Sequence, residues 1–106
     1  MAKYLLQANY VGDGIKGLLK EGGTKRRAAA EKALQSLGGR LEGFYYAFGD
    51  TDAYVIADVP DNATITAIAL TINATGLVSV RTTVLMTAEE VDAAVKKAPT
   101  YRAPGK

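Results

Sequence analysis

Strand-like and helix-like patterns alternate along this chain in the order β-α-β-β-α-β, a glycine turn joins the middle pair of strands, and the strand residues sort into two chemically distinct faces. These observations predict an α+β domain on the split βαβ, or ferredoxin-like, plan. In that plan two right-handed crossovers put both long helices on one face of a four-stranded antiparallel sheet, with the first and third strands central. A further short helix follows the last strand. The 106 residues suffice for one hydrophobic core and not for two.

Lys3 to Tyr10 reads as the first strand, and Gly12-Asp13-Gly14 ends it. Ile15, Leu18 and Leu19, then Ala30, Ala33, Leu34 and Leu37, recur at helical spacing. Gly22-Gly23 interrupts them, so a break is expected there, with Thr24 capping the second part. Gly38-Gly39 stops that helix as a glycine C-cap.

Arg40 to Phe48 and Ala53 to Val59 form a hairpin around "FGDTDAY". Pro60-Asp61 then opens a helix with Asp61 as N-cap and Ile65, Ile68, Ala69 and Ile72 as its inward stripe, ended by Gly76. Leu77 to Leu85 is the fourth strand, and Thr87-Ala88-Glu89-Glu90 is a capping box that starts a helix running to about Lys97. Residues 1–98 make one domain, and 99–106 form a tail with two prolines and little to bury.

Strict alternation assigns the strand faces. Tyr4, Leu6, Ala8 and Tyr10 fall together with Leu41, Gly43, Tyr45 and Ala47, with Ala53, Val55, Ala57 and Val59, and with Val78, Val80, Thr82 and Val84. That set is mostly small or aliphatic and suits helix packing. The opposite set mixes Leu5, Gln7, Asn9, Glu42, Asp58, Leu77, Ser79, Arg81 and Thr83 with Phe44, Tyr46, Phe48, Tyr54, Ile56 and Leu85. Bare, those last six side chains make an apolar patch of a size that soluble monomers seldom show. A second copy of the sheet is the simplest cover, giving a two-fold dimer with a partly polar interior.

Composition excludes several chemistries. With no cysteine there is no disulfide or thiolate chemistry, and with no histidine there is no histidine-based triad or histidine metal site. The net charge of +2, from 13 basic and 11 acidic residues, gives little steering toward nucleic acid or a membrane surface. The basic run Lys25-Arg26-Arg27, with Lys20 and Lys32, reads as a solvated helix face diluted by Glu21 and Glu31. Asn62-Ala63-Thr64 and Asn73-Ala74-Thr75 match glycosylation sequons, but with no secretory pattern at the N-terminus they are read as helix-capping sequence. The expectation is a cytoplasmic protein with no cofactor, no metal site, no nucleic-acid partner and no membrane association.

The segments "KYLLQANY", "GIKGLLKEGG" followed by "RRAAAEKALQSLGG", "LEGFYYAFGDTDAYVIADVPDN" and "RTTVLMTAEEVDAAV" together resemble the GYD domain family of small bacterial proteins, over residues 3 to about 97. The resemblance implies a ferredoxin-like dimeric α/β-barrel and no generally assigned reaction. The family's turn usually reads Gly-Asp-Tyr-Asp; Thr51 stands here where the tyrosine would be. Barrels of similar topology include cofactor-free oxygenases, isomerases and small-ligand binders, an analogy of fold only.

Candidate ligand-binding residues are Gln7, Asn9, Tyr46, Asp52, Tyr54 and Arg81, polar groups expected in the barrel interior. Asp50 and Asp52 serve either a tight hairpin or a site at the barrel mouth, and parity puts Asp52 beside Tyr54. Two carboxylates alone are too few for a dedicated Ca2+ site. Arg81 shares its face with Asp58 and Glu42, which makes either an ion network that fixes dimer register or an anchor for a carboxylate or enolate. Two functions compete: a small-ligand binder or cofactor-free enzyme working in the barrel interior, and a non-catalytic oligomerising module with no ligand.

Overall fold

In the computed structural model, which describes residues 1–106, the strands β1 (Ala2–Tyr10), β2 (Arg40–Tyr46), β3 (Ala53–Val59) and β4 (Val78–Leu85) form one sheet. All its pairings are antiparallel and the order is β2-β3-β1-β4, so the first and third strands are central. The helices are α1 (Gly14–Glu21), α2 (Gly23–Ser36), α3 (Asn62–Ala74) and α4 (Ala88–Lys96). None of them is long and apolar enough to cross a membrane. The fold is α+β and ferredoxin-like in arrangement.

Local chemistry sets the helix ends. Gly22 has φ +84°, a conformation that costs other residues their Cβ clearance, and serves as the last cap of α1 and the first of α2. The break therefore falls at Gly22; Thr24 lies inside α2 and does not cap it. At the other end Gly38, φ +78°, donates to the Gln35 carbonyl at 3.1 Å, and Gly39 donates to that of Leu34 at 2.8 Å. Those two bonds are a Schellman close. Asp61 caps α3 by accepting from the Thr64 amide at 2.9 Å, and Thr87 with Glu90 forms the reciprocal capping box of α4.

The core joins Tyr4 and Leu6 of β1, Val55, Ala57 and Val59 of β3, Leu34 of α2, and Ile65 and Ile68 of α3. The Tyr4 hydroxyl donates to Asn62 Oδ1, and Asn73 Oδ1 accepts from the Val80 amide at 2.8 Å. Both sequon asparagines thus tie α3 to the sheet.

Strict alternation fails in one strand. Leu41 pairs with Ala57 and Gly43 with Ile56, so Glu42 is an extra residue in β2, a β-bulge. Beyond it every side chain takes the face opposite to the one alternation assigns. Phe44 pairs with Val55 and Tyr46 with Ala53 on the helix side, while Tyr45 joins Tyr54 on the open side. The expected assignment of Phe44, Tyr46 and Tyr45 is therefore reversed.

No residue of α4 is buried, and the tail after it is exposed throughout. The chain measures 57 × 33 × 22 Å with a radius of gyration of 16.9 Å. A compact domain of this length has roughly 13 Å. The C-terminal arm makes the difference.

Candidate functional site

The open face of the sheet is built in rows by the strand register. Arg40, Asp58, Lys3 and Leu85 form one row, and Gly43, Ile56, Leu5 and Thr83 the next. Tyr45, Tyr54, Gln7 and Arg81 form the third. An ionic row and a polar row thus flank an apolar one.

The ionic row satisfies itself. Asp58, only 7% exposed, accepts from Arg40 at 2.7 Å and from Lys3 at 3.2 Å, and Lys3 also pairs with Glu42. The Arg40 hydrogen bond, aided by Lys3 and opposed by burial, holds the Asp58 carboxyl below its ordinary value of 3.8. Arg81 takes no part in this network, because it lies four residues along the sheet, about 13 Å at the usual strand rise. The partners of Asp58 and Glu42 are Lys3 and Arg40.

Arg81 instead meets a hydroxyl. Thr51, in the β2–β3 turn and 2% exposed, accepts from the Arg81 guanidinium at 3.1 Å and from the Gln7 amide at 3.4 Å. No carboxylate lies within ion-pair distance of Arg81. Its remaining donors face the same side as Gln7 and the half-exposed Tyr54. Thr51 is the residue that sequence reasoning misses. Its only signal is a β-branched residue replacing the turn's tyrosine, and its burial comes from contacts distant in sequence.

Asn9 and Asp52 serve the turn. Asn9 accepts from the Asp52 amide at 2.9 Å and donates to the Asp50 carbonyl at 3.2 Å. The Asp52 carboxylate accepts from the Tyr10 amide at 2.9 Å, adding a rung where backbone pairing ends. Asp50 is exposed. The left-handed residue of the turn is Phe48, φ +57°, whose ring stacks parallel on Tyr46 at 5.6 Å. No group of three or more acidic side chains is arranged so that it could hold a metal ion.

Tyr46 lies across the sheet from the others because of the bulge at Glu42. Its ring packs edge-on to Phe44 at 5.1 Å and its hydroxyl donates to the Gly23 carbonyl at 3.1 Å. Burial first, then the neighbouring Tyr10 hydroxyl, pushes its phenol up to about 12. An unfolded tyrosine ionises near 10, so between these values the folded chain holds the extra proton. Stability is complete below that window and falls as pH rises through it. Urea unfolding at both ends of the window should show this loss in the native chain and less of it in Tyr46→Phe; equal losses would contradict the assignment.

A four-stranded antiparallel sheet covered by helices on one face, with a polar cluster on the other, defines a small ferredoxin-like α+β domain. Residues 4–95 of the 106 match the GYD domain, and the chain belongs to the GYD domain family. No curated protein and no solved structure matches it.

Proposed function

We propose that this GYD domain protein binds a small organic anion on its open sheet face, inside a dimer made by two such faces. One observation carries the reading: Arg81 is held by the Thr51 hydroxyl with no carboxylate partner, on a face whose other charges are paired among themselves. A guanidinium with free forked donors suits a carboxylate or enolate. Gln7 and Tyr54 supply neutral donors and acceptors beside it, and Leu5 and Ile56 supply an apolar wall. Asn9 and Asp52 contribute by fixing the turn that carries Thr51.

Salicylate is a suitable first probe, with a carboxylate for Arg81 and a hydroxyl for Gln7. Native chain should sediment as a dimer and bind salicylate saturably by NMR titration. Arg81→Gln should abolish most of that binding while leaving the sedimentation unchanged. A stable monomer at micromolar concentration, or equal binding by the variant, would defeat the proposal.

The competing reading, an oligomerising module without ligand, draws support from the exposed Tyr45 and Tyr54, which a second copy can pack. Under it Arg81→Gln weakens the dimer, and salicylate does not bind.

A further inference from the structure

The geometry points to a second site, on the opposite side of the sheet: a slot between α2 and α3 that takes a small apolar acid, aliphatic or single-ringed, with its carboxylate on Arg26. Helix α2 packs chiefly on β2 and α3 on β4, so the two helices stand apart over the central strands. The slot between them has a volume of about 220 Å³. A cavity of about 150 Å³ lined by aliphatic and aromatic side chains stays dry and holds benzene. This one has room for a ring with a short substituent, or for a chain of comparable bulk.

The opening is written in alanines. Ala29, Ala30 and Ala33 of α2 line it together with Ala8 and Ala53 of the central strands, and their single methyl groups leave space that longer aliphatic side chains would fill. Ile68 and Ile72 form the far wall.

Of the 15 lining residues 14 are hydrophobic, and Arg26 is the exception. It also lines, with Tyr10, an adjoining hollow of about 200 Å³ against α1 and therefore stands between the two. Of the basic run Lys25-Arg26-Arg27, only Arg26 lines the slot. Its one ionic contact, to Glu21, is 3.6 Å long, beyond hydrogen-bond range, and its guanidinium makes no hydrogen bond. One cation at the end of an apolar slot is complementary to one carboxylate on an apolar body. A neutral hydrocarbon leaves the guanidinium with only its long contact to Glu21, and a second negative charge on the ligand meets that carboxylate.

Octanoate and 3-phenylpropionate are the probes, with 1-octanol as the uncharged comparison. NMR titration of native chain should give saturable binding of both acids, with the largest shifts in the α2 residues Ala30 and Ala33. Ala33→Leu fills the slot and should lower affinity about tenfold or more. Ala30→Leu makes the same test should Ala33→Leu fail to fold. Arg26→Gln should weaken octanoate about tenfold, the scale of one charged hydrogen bond, and leave 1-octanol unchanged. Arg81→Gln should change neither, which separates this slot from the open face. Absence of saturable acid binding, or undiminished affinity in a folded leucine variant, overturns the site. Equal loss of octanol and octanoate on Arg26→Gln overturns the role of the charge.

Discussion

Replacing Tyr4 by alanine should remove about 3–5 kcal/mol of stability, the range measured for deleting a large buried aromatic side chain. Tyr4 is 1% exposed and is among the largest fully buried side chains of the chain. It sits on the central strand β1, paired with Ala57 on one side and Val84 on the other. Neither neighbour is large enough to collapse into the space left. Domains of this size have only about 5–15 kcal/mol in total, so Tyr4→Ala removes much of that margin. Tyr4→Phe separates the ring from the hydroxyl. It keeps the packing and loses only the hydrogen bond to Asn62, worth about 1 kcal/mol. Urea denaturation of the three chains checks both parts. Similar losses for alanine and phenylalanine would mean that the hydroxyl, and not the ring, holds β1 to α3.

The second large effect belongs to Gly14→Ala. A Cβ built on Gly14 falls 1.9 Å from the main-chain oxygen of Leu77. Main chain cannot swing aside as a side chain does. That same oxygen accepts from the Val11 amide at 3.0 Å, so moving it also disturbs the junction between β1 and β4. Overpacking of this kind costs about 1–3 kcal/mol and at times more. Gly17, three residues on in the same helix, has nothing within 4 Å of the position its Cβ would take. Gly17→Ala should therefore gain about 0.5–1 kcal/mol from the lower entropy of the unfolded chain. Thermal unfolding of both variants tests the contrast; a tolerated Gly14→Ala would show that α1 does not sit against Leu77 as closely as these contacts require.

Much of this architecture is legible in the sequence because it depends on short-range pattern. Asp61, Thr87 and the Gly38-Gly39 pair announce helix ends through chemistry complete within four or five residues. Alternation assigns the faces of β1 and β3 correctly, because these two strands pair with each other without interruption. Faces in β2 are not legible. Gly43 within "RLEGFYY" is the one signal, since a glycine inside a strand often marks a bulge, but which residue goes unpaired depends on how the strand lies against β3. The site is partly legible for the same reason. Gln7, Tyr54 and Arg81 share a row, as alternation and sheet order require, whereas the burial of Thr51 needs the folded turn to lie against β1. The slot left by spaced helices is not legible at all. Alanines at helical spacing look like an ordinary packing face until the distance to the next helix is known.

Glu42 also bears on how this chain can vary by loss of a codon. Dropping a residue from β1 or β3, which pair without slack, turns every later side chain of that strand to the other face. Strand β2 carries one residue more than its partner needs. Without Glu42, Leu41 still stands opposite Ala57 and Gly43 opposite Ile56, now as consecutive pairs. Phe44 and Tyr46 then keep the helix side, and Tyr45 keeps its place beside Tyr54. The ion pair to Lys3 goes, and with it the local bend of the strand. Gene-length variation by a single codon is therefore absorbed at the Leu41–Gly43 step, whereas the same gap in a central strand would turn the core outward.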